Sequence, residues 1–189
     1  MPGPRRDAAR TRARLLEAAG GAISRQGVNV SLDVIARSAG VSKGGLLHHF
    51  PTREELLVAV MRHLLAEFDA AVEHALLAEP EGEPGRLARA YVAAVFDDLA
   101  DGERAREKVT LMGMIGSSPG VEEHVRMDDE AWRVRLEDDG LDPVRVQVVT
   151  KAADGATGAL LWSRTDAGAY DELRRTLIAM TRTTGPLLP

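Results

Sequence analysis

The chain has 189 residues, 44% of them hydrophobic, and carries 24 Lys and Arg against 29 Asp and Glu for a formal net charge of −5. That length holds one large or two small domains with a real core, and the absence of cysteine removes disulfides, thiolate zinc sites and cysteine nucleophiles. Ala, Leu and Arg dominate and strand-like alternation is not evident, which points to an all-α protein.

In chain order, residues 1–6 read as a loose basic arm, and a first helix is predicted from Asp7 to Gln26. Leu15, Leu16, Ala19 and Ile23 face inward on it and Gly27 stops it. The first 16 residues, MPGPRRDAARTRARLL, have no apolar core of the signal-peptide type. The longest apolar run, LLVAVM at 56–61, falls far short of the ~20 residues that span a bilayer. A soluble cytoplasmic protein with no membrane partner is the expectation.

Residues 31–50, SLDVIARSAGVSKGGLLHHF, read as two short helices joined by a tight turn. Ser31 can cap the first, because its side-chain oxygen accepts a backbone N–H that the helix leaves unsatisfied. Leu32, Ile35, Ala36 and Ala39 then recur at helical spacing. Gly40 marks the stop, since only glycine enters the left-handed region without a steric penalty. Val41 plugs the angle between the helices, and Ser42 is a second cap signal. Leu46, Phe50 and, on one reading, Leu47 point inward from the second helix, which Pro51 ends. Thr52 with Glu55 forms a capping box for the next helix. This is the layout of a helix-turn-helix, a device for placing one helix in the DNA major groove.

Gly44 and Gly45 each cost a helix about 1 kcal/mol relative to alanine. One reading is that the backbone there approaches a DNA strand closely; the other is plain turn chemistry. On the first reading, Lys43 reaches a phosphate or a guanine edge, and Ser42 and Gly44 offer backbone N–H groups to phosphate. His48 or His49 touches phosphate or base, and Ser31 and Arg53 grip the backbone on either side. Arg5, Arg6, Arg10 and Arg12 either add contacts from the arm or form a solvated charge run. Charge distribution favours this end of the chain. Residues 1–50 hold eight Arg and Lys against three acids, a net +5, while the remainder is −10, so the positive end attracts phosphate and the acidic end stays off it.

A long helix is predicted from Thr52 to about Ala78, with Leu56, Leu57, Val60, Met61, Leu64, Leu65, Phe68 and Val72 in one apolar stripe. EPEGEPG (79–85) is a loop. Further helices are predicted at about 86–101, 104–115, 119–138, 142–164 and 168–184, for about nine in all.

The run IARSAGVSKGGLLHHFPTREELLVAV (35–60) resembles the signature of the TetR-like (tetracycline repressor) transcriptional regulators, close to I-A-x-x-A-G-V-S-x-G-x-L-Y-x-H/Y-F-x-S/T-K-E-x-L. Ile35, Ala36, Ala39, Gly40, Val41, Ser42, Lys43, Gly44, Leu46, His49, Phe50, Thr52, Glu54 and Leu56 carry the match. Three positions depart from it. Leu47 stands where the family usually has a tyrosine that touches a DNA phosphate, Val28 where it has an aromatic, and Arg53 where it has lysine. Gly45 is often a larger residue in relatives.

The resemblance implies a helix-turn-helix DNA-binding domain over 1–55 and a helical effector-binding and dimerisation domain over 56–189. It further implies an apolar cavity for a small-molecule effector, with Tyr91, Phe96, Met112, Ile115, Trp132, Leu136 and Trp162 as candidate walls. Aromatics and methionine suit an adaptable pocket, and core packing is the alternative for any one of them. Small residues at Ala152, Gly155, Ala156 and Ala159 let another helix approach closely. With Leu173, Leu177 and Met180 they are the expected homodimer face, internal packing being the alternative. A two-fold DNA site calls for a two-fold protein.

The functional expectation is a homodimeric repressor, released from a near-palindromic double-stranded DNA operator by a small molecule. A constitutive or architectural DNA binder, and an acidic helical module or enzyme with a vestigial DNA motif, are the alternatives. Enzymatic signals are weak. GSSPG (116–120) matches G-x-S-x-G literally, but the preceding EKVTLMGMI reads as helix where a nucleophile elbow needs a strand. The chain has no H-E-x-x-H, P-loop or dinucleotide glycine fingerprint, and no histidine follows a glutamate by three. No cofactor or metal is expected.

Overall fold

Helix α1 spans Pro4–Gln26 and presents Leu15, Ala19, Ala22 and Ile23, all fully buried, on one face. The computed structural model describes residues 4–162 and 167–187, and leaves aside the side chains of Pro4, Arg5, Arg6, Ala167 and Ala169. The predicted loose arm is thus helical from Pro4 onward, proline being tolerated in a first helical turn because its missing N–H would be unpaired there anyway. Arg5 and Arg6, as possible arm contacts, lie outside the described side chains.

Among the described residues eight more helices follow: α2 (Leu32–Ser38), α3 (Lys43–His49), α4 (Arg53–Leu76), α5 (Arg86–Leu99), α6 (Gly102–Gly116), α7 (Pro119–Glu137), α8 (Pro143–Ala159) and α9 (Asp171–Met180), the last preceded by a 3-10 turn at Ala167–Tyr170. The fold is all-α, with no strand among the described residues. Among the described residues, no helix is long and apolar enough to cross a membrane.

Two compact units divide the chain: Met1–Leu65 with Thr110–Arg126, and Ala66–Val109 with Met127–Pro189. The expected domain boundary at 55/56 falls in the first turn of α4, a helix that contributes to both units.

The first unit is built on a core of Leu15, Ile23, Ile35, Leu46, Phe50, Leu56, Met61 and Ile115, all essentially inaccessible. Burying each large apolar side chain stabilises by about 1.5–3 kcal/mol. The turn between α2 and α3 is a Schellman motif. Gly40 sits at φ +67°, Val41 N–H donates to Ala36 O at 3.0 Å, and Gly40 N–H donates to Arg37 O at 3.0 Å.

In the second unit, α5 packs on α8 and α9. Phe96, Leu99, Val149, Ala153, Ala156, Leu160 and Leu177 form one core cluster, and Val72, Ala88, Trp132, Leu136 and Leu141 another. Asp142 caps α8 by accepting the Arg145 N–H at 3.0 Å, and Pro143 follows it. Two buried arginines fasten the end of α9. Arg89, 1% exposed, donates to Thr181 O at 3.2 Å and to the Glu79 carboxylate at 2.6 Å. Arg145 donates to Met180 O at 3.1 Å and Gly185 O at 2.8 Å.

Helix α8 stops at Ala159 where the sequence pattern ran on to 164. The N–H groups of Leu160, Leu161 and Trp162 reach back three residues, to the carbonyls of Thr157, Gly158 and Ala159, after a stretch holding Gly155 and Gly158. Residues 163–166, which hold the end of that predicted helix, lie outside the described residues. The last helix is shorter than the predicted 168–184 because its ends are 3-10 and turn.

Candidate nucleic-acid interface and ligand cavity

The second helix of the helix-turn-helix, α3, is anchored from beneath by Leu46 and Phe50, 0% and 1% exposed. Its start is fixed by Ser42, whose Oγ accepts the Gly45 N–H at 3.0 Å. Ser31 does the same for α2, accepting from Val34 N at 3.3 Å. An oxygen used as an acceptor in a cap still has its own O–H to donate, so both exposed serines remain able to bond a phosphate.

Ser42, Lys43, Gly44 and His48 are exposed, and Gly45 and His49 half-buried. Leu47 is half-buried against the core of its unit. A Cβ at Gly44 would meet only Ser42 Oγ, at 3.9 Å, so internal packing does not demand glycine there. Lys43 Nζ donates to Asp33 Oδ2 at 2.9 Å across the turn.

Arginines of this unit are largely engaged within it. Arg53 donates to the carbonyls of Val28, at 2.8 Å, and Val30. Arg12 lies 4.3 Å above the Phe50 ring and donates to His49 O, Arg14 donates to Ala39 O, and Arg10 pairs with Asp7. Arg37 is exposed in the last turn of α2, a cation that the motif pattern passes over.

The seven sequence candidates for a ligand wall do not come together. Tyr91, Trp132 and Leu136 line one cavity of about 340 Å³ in the second unit. Leu141, Pro143 and Val146 complete its apolar wall, and Gln147, Thr150 and Lys151 add polar groups. Phe96 packs in a different cluster, against Tyr170. Met112 and Ile115 pack in the core of the first unit. Trp162 is 88% exposed. Helical periodicity identifies buried residues but not which core they enter, which explains the scatter of Phe96, Met112 and Ile115; Trp162 lies past the end of α8, where the helical pattern no longer applies.

Within the cavity wall, Tyr91 O–H donates to Asp154 Oδ1 at 2.6 Å. Burial first, then the charges of Asp154, Asp129 and Asp128, push the Tyr91 hydroxyl well above the ordinary tyrosine range. Gln147, Thr150, Lys151 and Asp154 were missed from sequence. Tyr91 and Asp154 are 63 residues apart, and no local pattern announces such a pair. A wider cleft of about 820 Å³ in the first unit, bordered by Arg12, His49, Glu54, Arg62 and His124, is open and charged, so the apolar cavity is the better small-molecule site.

Of the expected dimer residues, Ala156 and Leu177 are buried in their own unit's core. Ala152, Ala159, Leu173 and Met180 are half-buried, and Gly155 is exposed. Val144 and Val148 on the same helix are exposed, at 45% and 42%. Ser118 of GSSPG lies between α6 and α7, where its carbonyl accepts the Val121 and Glu122 N–H groups at 2.9 Å, as at a helix start.

Residues 85–182, just over half of the chain, match the tetracyclin repressor-like C-terminal domain, and residues 15–60 match the bacterial regulatory proteins of the tetR family. The chain belongs to the TetR family. Among similar proteins is the HTH-type transcriptional regulator BetI of Pectobacterium carotovorum subsp. carotovorum strain PC1, 41% identical over 88 residues, which are 46% of this chain and 45% of that regulator. The chain thus spans under half the length of the relatives it matches. The TetR-family fold itself extends over nearly the whole chain. A TetR-family transcriptional regulator from Rhodococcus sp. superposes with a TM-score of 0.71 at 19% identity, covering 92% of this chain and all of that one. The multidrug binding protein EbrR, complexed with imidazole, superposes with a TM-score of 0.64 at 22% identity over 92% of this chain and 96% of its own.

Proposed function

We propose that this TetR-family chain is a ligand-responsive, sequence-specific DNA-binding regulator that acts as a homodimeric repressor on a near-palindromic duplex operator. The observation that carries the reading is the solvent face of α3. Ser42, Lys43, Gly44 and His48 are exposed on a two-turn helix whose opposite side is locked by Leu46 and Phe50. Lys43 is the base-edge candidate, since Lys and Arg to guanine O6 and N7 are the commonest specific contacts. His48, Ser31, Ser42 and the bare backbone at Gly44 and Gly45 serve phosphate or close approach. Arg53 supports the reading indirectly, by bracing the segment before α2.

Two copies place two such helices in successive major grooves about 34–36 Å apart. The exposed Val144, Val148 and Gly155 of α8 are the proposed face for the second copy. The cavity around Tyr91, Trp132 and Leu136 favours a responsive regulator over a constitutive binder. An effector there releases DNA only through a different affinity for the DNA-bound and free arrangements, typically 1–3 kcal/mol of coupling. Helix α4, shared by both units, is the proposed route.

Selection of bound sequences from random duplex DNA tests the function. The expected product is an inverted repeat bound by two chains, with affinity falling steeply as salt rises. Enrichment of no sequence over the input contradicts the reading.

A further inference from the structure

The aromatic wall of the cavity has an unusual electrostatic setting. Tyr91 and Trp132 line the cavity, and Phe68, outside the lining, completes a triangle of rings with centroids 5.1, 5.7 and 5.2 Å apart, edge-to-face for Phe68–Tyr91 and Tyr91–Trp132 and tilted for Phe68–Trp132. Ring faces are the negative end of the aromatic quadrupole and attract cations. Trp132 already takes one such contact within the chain: the Arg135 guanidinium lies 4.1 Å from its centroid, and is itself paired with Asp69 and Glu73.

The charged groups around Tyr91 and Trp132 are predominantly acidic. Asp129 and Glu137 line the cavity, and Asp154 accepts the Tyr91 hydroxyl. Lys151 is shared between Asp129, at 3.0 Å, and Asp154, at 3.5 Å. Arg133 is shared between Glu130 and Glu137. Each cation therefore answers to two carboxylates. Asp128, one turn before Trp132, adds a further negative charge, and it is held above the ordinary carboxylate range by burial, then by Asp69 and Asp129, with Arg135 opposing. Among the charged side chains that line the cavity, Asp129 and Glu137 are matched by Arg133 and Lys151, and the excess of carboxylate beside Tyr91 comes from Asp154 and Asp128 next to the lining. Carboxylates in excess beside two aromatic rings, at an apolar cavity of about 340 Å³, favour a positive charge.

We propose that the cavity takes an organic cation of modest size, with a flat or compact apolar body against Tyr91 and Trp132 and its positive charge facing Asp129 and Asp154. This assignment deepens the effector reading above and rests on it. Lys151, which lines the cavity, is displaced from Asp154 when the cation binds. Asp129 is exposed, so its replacement leaves the fold intact.

Calorimetric titration of the full chain at low salt with three probes that share a phenol body tests this. The probes are 4-hydroxyphenyltrimethylammonium, its neutral isostere 4-tert-butylphenol, and the anion 4-hydroxybenzenesulfonate. The cation is expected to bind at least tenfold tighter than the neutral isostere, and the anion weakest. Asp129→Asn is expected to lower the ratio of cation to neutral affinity severalfold and Lys151→Met to raise it severalfold. Preference for the neutral or anionic probe overturns the cation assignment while leaving an effector cavity in place. Binding of none of the three to a folded chain overturns both.

Discussion

The ammonium of Lys43, at the start of α3, stands 2.9 Å from the carboxylate of Asp33 on α2, and both side chains are about half exposed. An exposed pair of this kind is worth about 0–1 kcal/mol. It keeps the lysine folded over the turn at little cost, and a DNA phosphate or guanine can replace the carboxylate. Asp33→Asn is expected to leave the melting temperature almost unchanged and to strengthen duplex binding about two- to fivefold at low salt, as a fraction of a kcal/mol up to about 1 kcal/mol implies. Fluorescence anisotropy against a selected duplex reads this directly. Weaker binding in the variant would contradict the competition between Asp33 and DNA.

Arg53 braces the head through two carbonyls, Val28 O and Val30 O. Charge-assisted hydrogen bonds of this kind contribute about 1.5–3 kcal/mol each before the partner carbonyls regain water. Arg53→Ala is expected to destabilise the fold by about 1–3 kcal/mol in urea unfolding. Arg53→Lys is expected to recover little of it, because an ammonium cannot span two carbonyls with a planar fork. Unchanged stability with weaker DNA binding would assign Arg53 to the phosphates instead.

The start of α5 is capped from a distance. Both carboxylate oxygens of Asp139 accept backbone N–H groups, Leu87 and Ala88, each at 2.8 Å. The ordinary cap position is Gly85, at φ +78°, where a Cβ would come within 2.5 Å of Thr181 O, so a capping side chain cannot be housed there. Asp139→Ala is expected to cost about 1–2 kcal/mol. Gly85→Ser, which supplies a cap residue but also a Cβ, is expected to destabilise rather than rescue. Denaturant midpoints of the single and double variants check both statements.

Asp128 gives a pH signature. Its proton is held more tightly in the folded chain than in the unfolded one, chiefly through burial and then through Asp69 and Asp129. Its ionisation therefore weakens the fold as pH rises through that raised range. Asp128→Asn removes the cost, so the variant is expected to melt higher than the parent at pH 7. The difference should vanish below the ordinary carboxylate range, near pH 3, where both forms are neutral. Thermal melts at the two pH values are the measurement.

Local chemistry made the helix-turn-helix legible in sequence. Ser31, Gly40, Ser42 and Thr52 each act within a few residues, and each does in the structure what its type predicts. The cavity was less legible. Tyr91, Trp132 and Leu136 converge, but Met112, Ile115, Phe96 and Trp162 share only their hydrophobicity with them. Which core a residue joins depends on how helices distant in sequence are brought together, and single-helix periodicity carries no such information. The same limit applies to Arg53. Its type suggested a phosphate grip, while its carbonyl partners lie 23 and 25 residues earlier in the chain.

The account depends on α3 entering the major groove with Lys43 at a base edge. Dimethyl sulfate protection on a selected operator reads guanine N7 in that groove. The predicted result is protection of guanines in two half-sites one helical turn apart, with the protection at one position per half-site lost in Lys43→Ala while flanking phosphate contacts persist. Bound DNA whose guanine N7 positions all remain reactive, or a pattern identical in parent and Lys43→Ala, would contradict it.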